Sequence, residues 1–389
     1  MTFLLPKPVL RPTNPNFSSG PCSKYPGWNL SILQNSLLGR SHRSTVAITR
    51  LQKALNLTRE LLQVPNDYII AMVPASDTGA IEMAFWSLLG QRPVDILSWD
   101  HFGQEWVKDV TEQLKIKDSK IIKADYGYLP DFSKINFSND VIFTWNATSS
   151  GVKIPNADFI PINRSGLTIC DATSATFAQE LDFNKLDVTT FSWQKSLGGE
   201  ASHGMLILSP RAVHRLETYN PPWPIPKIFR LTENGKLISR YFEGYSINTP
   251  SMLCLEDYIQ ALEWGLSIGG LPALIDRCNK NANILWKFIA TTPWLENLAQ
   301  DPQSYSNTSV CIKIIDPCFL QLSTEQASNF IKNMILRLEQ EKVAYDISSY
   351  KTAPIGLRIW CGATIEQENI RRLLPWLTWA FEQEKLTII

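Results

Sequence analysis

The sequence predicts an α/β protein: a mostly parallel, seven-stranded sheet flanked by helices, followed by a smaller α/β unit. Three observations predict it. Short apolar runs alternate with stretches of helical periodicity across residues 45–268. Such alternation builds parallel sheets, because a parallel crossover needs a helix's worth of chain. At 389 residues the chain is also longer than one core usually holds, which argues for two domains. The 44% hydrophobic and 19% charged composition excludes wholesale disorder.

Residues 1–28 carry prolines at 6, 8, 12, 15, 21 and 26, which reads as an extended N-terminal arm. A helix is expected over Thr45–Leu62 from its apolar spacing. Seven strands follow, at Tyr68–Val73, Asp95–Ser98, Lys120–Lys123, Asp140–Trp145, Leu167–Cys170, Val188–Ser192 and Gly204–Leu208. Between the first two, a helix runs from about Ala80 to Leu89. The pattern Met252–Ile268 is a long helix leading into the second unit. That unit reads as helix Pro272–Ile289, strand Ser309–Ile314, helix Glu325–Glu341, strand Gly356–Trp360 and helix Ile365–Phe381. The organisation is an arm (1–28), a large domain (29–260) and a small C-terminal domain (261–389).

Lys plus Arg and Asp plus Glu both number 37, so a broad basic surface for nucleic acid or anionic membrane is not expected. The apolar run before Pro6 is too short for a secretory leader, and no apolar run reaches membrane-spanning length. Seven scattered cysteines without a C-x-x-C pair read as reduced thiols, which suits the cytoplasm. None of the four histidines stands at ligand spacing from another His or Cys, so no metal site is expected.

Three strand-end segments carry candidate chemistry. Pro74-Ala75-Ser76-Asp77-Thr78-Gly79 joins a strand to a helix, where free N–H groups and the helix dipole favour an anion; an ordinary N-cap would look the same. Asp171 follows the strand ending at Cys170, where open α/β sheets bind ligands, although a turn aspartate is equally common there. Lys195 lies between a strand and Gly198-Gly199, beside Trp193. Desolvation there lowers an amine's pKa and makes it nucleophilic, whereas a lone loop lysine is usually a surface group. Anion site, then carboxylate, then lysine is the order used by enzymes that bind pyridoxal 5′-phosphate (PLP). Phe102 is a candidate to stack on the cofactor ring, with Trp106 as the alternative, and Thr148 to hydrogen-bond the ring hydroxyl.

Taken together these residues resemble class V aminotransferases of PLP fold type I, and most closely the phosphoserine aminotransferases. Asn16-Phe17-Ser18-Ser19-Gly20-Pro21 resembles the N-terminal signature of that family. Ser41-His42-Arg43-Ser44 resembles its substrate-phosphate motif, Gln194-Lys195 its cofactor-lysine pair and Ile247-Asn248-Thr249-Pro250 its NTP motif. Arg358 matches its carboxylate-binding arginine. The cofactor loop is poorer in glycine than the family's, and phenylalanine replaces the usual stacking tryptophan.

The resemblance implies a role for each position. Lys195 and Asp171 are catalytic. Ser76, Asp77, Thr78 and Gln194 hold the PLP phosphate, and Asn248 and Thr249 reach it from the second subunit of a homodimer. His42 and Arg43 take the substrate phosphate, and Arg358 clamps the α-carboxylate. The implied reaction passes an amino group from glutamate to 3-phosphohydroxypyruvate, giving O-phospho-L-serine and 2-oxoglutarate in serine biosynthesis. The same resemblance admits a phosphorylated hydroxythreonine and so pyridoxine biosynthesis. The alternative is a class V aminotransferase of the alanine–glyoxylate or serine–pyruvate type, which does not need the His-Arg phosphate site. A cysteine desulfurase would need a ring-stacking histidine and a mobile cysteine, and neither is evident.

Overall fold

The computed structural model describes residues 5–388. Met1–Leu4, where the leader reading began, and Ile389 lie outside the described residues. After the arm comes helix α1 (Thr45–Leu62), whose Leu51, Leu55, Leu61 and Leu62 are buried as their spacing requires. Then follow β1 (Ile69–Pro74), α2 (Ser76–Leu88), β2 (Val94–Ser98), α3 (His101–Lys108), β3 (Ser119–Lys123) and β4 (Asp140–Thr144). A short hairpin, β5 (Asn146–Ala147) and β6 (Val152–Lys153), precedes β7 (Thr168–Asp171), β8 (Val188–Ser192), β9 (His203–Leu208) and α4 (Pro210–Thr218).

The sheet order is β1-β9-β8-β7-β4-β2-β3. Every pairing from β3 through β8 is parallel, and only β9 runs against its two neighbours. Since β9 opposes both β1 and β8, β1 points the same way as β8. The C-terminal ends of β1, β2, β4, β7 and β8 therefore share one edge, and all three strand-end segments singled out in the sequence lie along it. Most of these strands are buried along their whole length, which explains their continuous rather than alternating apolar runs.

Three elements differ from the sequence reading. Helix α2 starts at Ser76, a turn earlier than expected, so Ser76–Gly79 is its first turn rather than a loop. His101-Phe102-Gly103 is the start of α3, where Asp100 caps the helix by accepting from the Gly103 N–H at 2.9 Å. A glycine in the first turn hid that helix. A Cβ there would stand 3.1 Å from Ser98 Cα, so a larger residue would push the end of β2 aside by a few tenths of an ångström. Helix α4 had no counterpart in the reading of the sequence.

A hairpin, β10 (Thr232–Glu233) and β11 (Lys236–Leu237), leads to α5 (Met252–Ser267) and α6 (Gly270–Thr291). Helix α6 spans two cores. Leu274 and Cys278 pack with α1 and α5, while Ala282, Leu285 and Ile289 join a second cluster. That cluster is built on an antiparallel sheet of β12 (Leu295–Asn297), β13 (Ser309–Ile314) and β14 (Gly356–Trp360). It is covered by α7 (Pro317–Leu320), α8 (Thr324–Gln340) and α9 (Gln367–Lys385). Trp294 stacks on Phe381 at its centre, with ring centroids 3.8 Å apart. The N-terminal arm belongs to this half: Phe17 is fully buried in it, and its carbonyl accepts from the Trp360 N–H at 3.1 Å.

His203, at the start of β9, is buried, and its Nε2 accepts from the Ser251 N–H at 3.0 Å. Burial pushes its pKa from 6.5 down to about 4. Below pH 6.5 the unfolded chain binds a proton that the folded chain refuses. Stability is therefore lost as pH falls from about 6.5 toward 4, by up to roughly 3 kcal/mol. Urea titrations of the wild type and of His203→Gln across that window check this; the variant should show a flatter slope.

Candidate active site

The shared sheet edge opens into a cavity of about 330 Å³ between the two halves of the molecule. Ten of the residues singled out in the sequence line it: Ser76, Asp77, Thr78, Phe102, Trp106, Thr148, Asp171, Gln194, Lys195 and Arg358. They come from segments spread over most of the chain, brought together by the parallel topology and by packing of the small domain across the strand ends.

Lys195 lies just after β8 and is only 9% exposed. Its Nζ donates to the Ser19 carbonyl and stands 5.9 Å from the centre of the Trp360 ring. No carboxylate pairs with it among the described residues. Burial lowers its pKa below the ordinary lysine value, and Arg358 adds to the effect, while Cys22 and Asp171 oppose it. The arm makes this enclosure. Gly20 sits so close that a Cβ there would lie 2.7 Å from Lys195 Nζ. Its φ of +149° also disfavours any side chain. Ser19, Gly20 and Pro21 all line the cavity, although the sequence reading gave them no role.

Asp171 is the last residue of β7 and is 4% exposed. One carboxylate oxygen accepts from the Thr173 N–H at 3.0 Å, the other from Trp106 Nε1 at 3.2 Å. Asp77 is buried beside it. Burial first, and the Asp171 charge second, push the Asp77 carboxyl well above the usual range. Asp77 is thus poorly placed to offer its carboxylate to a phosphate; what it can offer is its backbone N–H.

The anion end is the start of α2. Ala75 (φ 67°) and Ser76 (φ 54°) both hold left-handed backbone, which non-glycine residues rarely adopt and which clusters at functional sites. No side chain caps the helix. The ordinary capping explanation for Ser76-Asp77-Thr78 therefore fails: the Ser76 N–H donates to the Ser202 carbonyl at 3.4 Å and the Gly79 N–H to the Ala75 carbonyl at 2.9 Å, and the Asp77 and Thr78 N–H groups stay available to an anion. Gly79 is required here, since a Cβ would lie 2.2 Å from the Pro74 carbonyl oxygen.

Opposite this end, Arg358 on β14 holds its guanidinium 5.4 Å from the centre of the Tyr350 ring. Its Nε is buried without a partner, and no ion pair engages it among the described residues. Tyr350 packs in turn on His101 and Phe102, with centroids 4.6 and 5.6 Å away. It lines the cavity and was missed in the sequence, where nothing local marks it. Thr148 donates to Ser174 Oγ at 2.8 Å, which leaves its oxygen free to accept.

Other cavity-lining groups are orphaned as well: Ser19 Oγ, Thr144 Oγ1, Thr173 Oγ1, Ser192 Oγ and Gln194 Oε1 are buried and unpartnered. Buried polar atoms are normally satisfied, so such a cluster marks a site shaped for a polar ligand. An anion end, a central carboxylate, a desolvated amine and a flanking aromatic together fit PLP.

Four expected residues lie elsewhere. His42 and Arg43 form a turn before α1, with the Arg43 N–H donating to Ser41 Oγ at 3.2 Å, and Arg43 is exposed. Asn248 and Thr249 are exposed on the chain before α5. None of the four lines the cavity of this chain.

No protein-family model matches the chain. A phosphoserine aminotransferase of Methanosarcina barkeri is 54% identical to it over 379 residues, covering 97% of this chain and 100% of the relative. The chain belongs to the phosphoserine aminotransferase family. Among solved structures, a phosphoserine aminotransferase from Cytophaga hutchinsonii superposes with a TM-score of 0.79 at 18% identity, covering 94% of this chain and 99% of that one. An alanine–glyoxylate aminotransferase from Nostoc gives 0.77 at 18% identity, covering 98% of each chain. The phosphoserine aminotransferase fold is thus shared with enzymes of other substrates, and within it the choice of substrate rests on sequence identity and on particular side chains.

Proposed function

We propose that this chain is a PLP-dependent phosphoserine aminotransferase, passing an amino group between glutamate and 3-phosphohydroxypyruvate to give O-phospho-L-serine and 2-oxoglutarate. The observation that carries the reading is 54% identity, across nearly the whole chain, to a phosphoserine aminotransferase. The cleft supports it. When bound, PLP supplies an electron-withdrawing ring that stabilises the charge left as an α-proton departs.

The chain's own groups do the rest. Lys195 Nζ would anchor the cofactor, and its free amine would hold and move the α-proton. Asp171 would meet the ring nitrogen and favour a proton on it. The α2 N-terminus, Ser76, Thr78 and Gln194 receive the cofactor phosphate, Phe102 covers the ring, and Thr148 meets its hydroxyl. Arg358, with no carboxylate of its own, takes the α-carboxylate of each amino acid in turn.

The substrate phosphate is received by His42 and Arg43, and Asn248 and Thr249 complete the cofactor-phosphate site. All four lie on the surface of this chain and outside its cavity. That placement supports a homodimer whose second copy presents them to the cleft. A cytoplasmic setting suits the seven cysteines, none of which is bonded to another. Pyridoxine biosynthesis enters if a phosphorylated hydroxythreonine is also accepted.

The test is amination of 3-phosphohydroxypyruvate by glutamate, run beside alanine with glyoxylate. Turnover of the phosphorylated substrate at least about 100-fold above the alanine reaction is expected, the scale of one buried charge-assisted contact. The reverse preference would reject phosphoserine in favour of the alanine–glyoxylate alternative. Arg43→Ala should weaken phosphoserine far more than serine; equal weakening would remove Arg43 from the phosphate site.

A further inference from the structure

Trp106 entered the sequence reading as a second choice for stacking on the cofactor ring. Its geometry gives it different work. Phe102 and Trp106 stand four residues apart on α3, so they share one face of the helix. Phe102 sits at the cavity wall, packed against Tyr350. Trp106 lines the same cavity one turn further along the helix and is 5% exposed. Its ring meets Phe85 edge-on, at 6.1 Å and 80°, and Phe85 is fully buried. Nε1 then points at Asp171, 3.2 Å from Oδ2. An indole committed through its N–H to that carboxylate turns an edge toward it, which leaves ring covering to Phe102.

We propose that Trp106 is a positioning residue: its indole N–H, together with the Thr173 N–H, locks the Asp171 carboxylate in the one orientation that meets the cofactor's ring nitrogen. This rests on the role given to Asp171 above. A carboxylate held by one donor can swing about its Cβ–Cγ bond. With a donor on each oxygen, at 3.0 and 3.2 Å, its plane is fixed and its remaining lone pairs have set directions. Both donors come from packed surroundings: Thr173 lies two residues past the end of β7, and the buried Trp106 ring packs against Phe85 of α2. Holding the acceptor in place in advance strengthens the contact by sparing the cost of ordering it on binding.

The test compares binding of PLP with binding of 1-deaza-PLP, which has carbon in place of the ring nitrogen. Wild-type protein should prefer PLP. Trp106→Phe removes the N–H and keeps most of the packing. It should weaken PLP roughly tenfold, the scale of one hydrogen bond to a charged group, and leave the deaza analogue within about twofold. Should that variant fold poorly, a benzothienyl analogue of tryptophan at position 106 replaces the N–H by sulfur at nearly constant shape, and the same narrowing of the preference is expected. Equal weakening of both ligands means that Trp106 acts only by packing and overturns the proposal, as does an unchanged preference. If the wild type does not distinguish the two ligands, the Asp171 role fails and this inference with it. The transamination assay described above stands apart from that outcome.

Discussion

Lys195→Ala will reduce transamination by roughly 10⁴-fold or more, the combined scale of losing a nucleophilic anchor and a positioned proton carrier. Borohydride, which fixes a lysine-bound carbonyl cofactor to the wild-type chain, will leave no cofactor attached to the variant. The change should be local. Lys195 makes one polar contact, to the Ser19 carbonyl, and removing it leaves no buried charge unpaired. The alanine variant should therefore unfold at close to the wild-type temperature. The enclosure that makes this amine reactive also sets a pH expectation. Burial favours the neutral form, so the free amine ionises below the ordinary lysine value of 10.5. A larger fraction is then unprotonated at a given pH, and the rise of activity with pH should come earlier than for an exposed lysine. A covalent cofactor link surviving in Lys195→Ala would move the role to another residue.

Asp171→Asn carries the second large effect. The carboxylate is 4% exposed and accepts two hydrogen bonds, and burial together with the Asp171 charge disfavours ionisation of its neighbour Asp77. Removing one member of a buried charge pair costs about 3–5 kcal/mol, which predicts a loss of roughly 10²- to 10³-fold or somewhat more in kcat/KM. The loss should fall mainly on kcat, because the amide can still contact the ring nitrogen and cannot stabilise its proton. A change confined to KM would instead make Asp171 a substrate-binding group. Asp77→Asn separates the two carboxyls. It replaces a group whose charged form burial already disfavours, so its effect should be far smaller.

Much of this centre was legible in the sequence because it is local. In a parallel sheet the strands end on one edge, so a carboxylate closing one strand and a lysine following the next are neighbours whatever else happens. That logic located Asp171 and Lys195, and the strand-to-helix step located Ser76–Thr78. The start of α2 was placed a turn late because the two left-handed residues, Ala75 and Ser76, are not glycines and give no sign of their backbone. Helix α3 was hidden by Gly103, whose role is to let the chain pass Ser98 closely. What could not be read were contacts across long stretches of chain. Ser19–Pro21 reach Lys195 because Phe17 anchors the arm in the small-domain core, and Tyr350 reaches Phe102 only when the two halves pack together. The same distance hides the contact of Trp106 with Asp171: one stands on α3, the other at the end of β7, 65 residues later.

The central claim is that one cleft, with Lys195 at its centre, takes the amino group from phosphoserine and keeps it until an acceptor arrives. Mixing the cofactor-loaded protein with phosphoserine alone, without a keto-acid acceptor, tests this most directly. One equivalent of 3-phosphohydroxypyruvate per site should appear in a single burst and then stop, and addition of 2-oxoglutarate should restart release and yield glutamate. No release from phosphoserine, or a burst of pyruvate from alanine as fast as that from phosphoserine, would contradict the account.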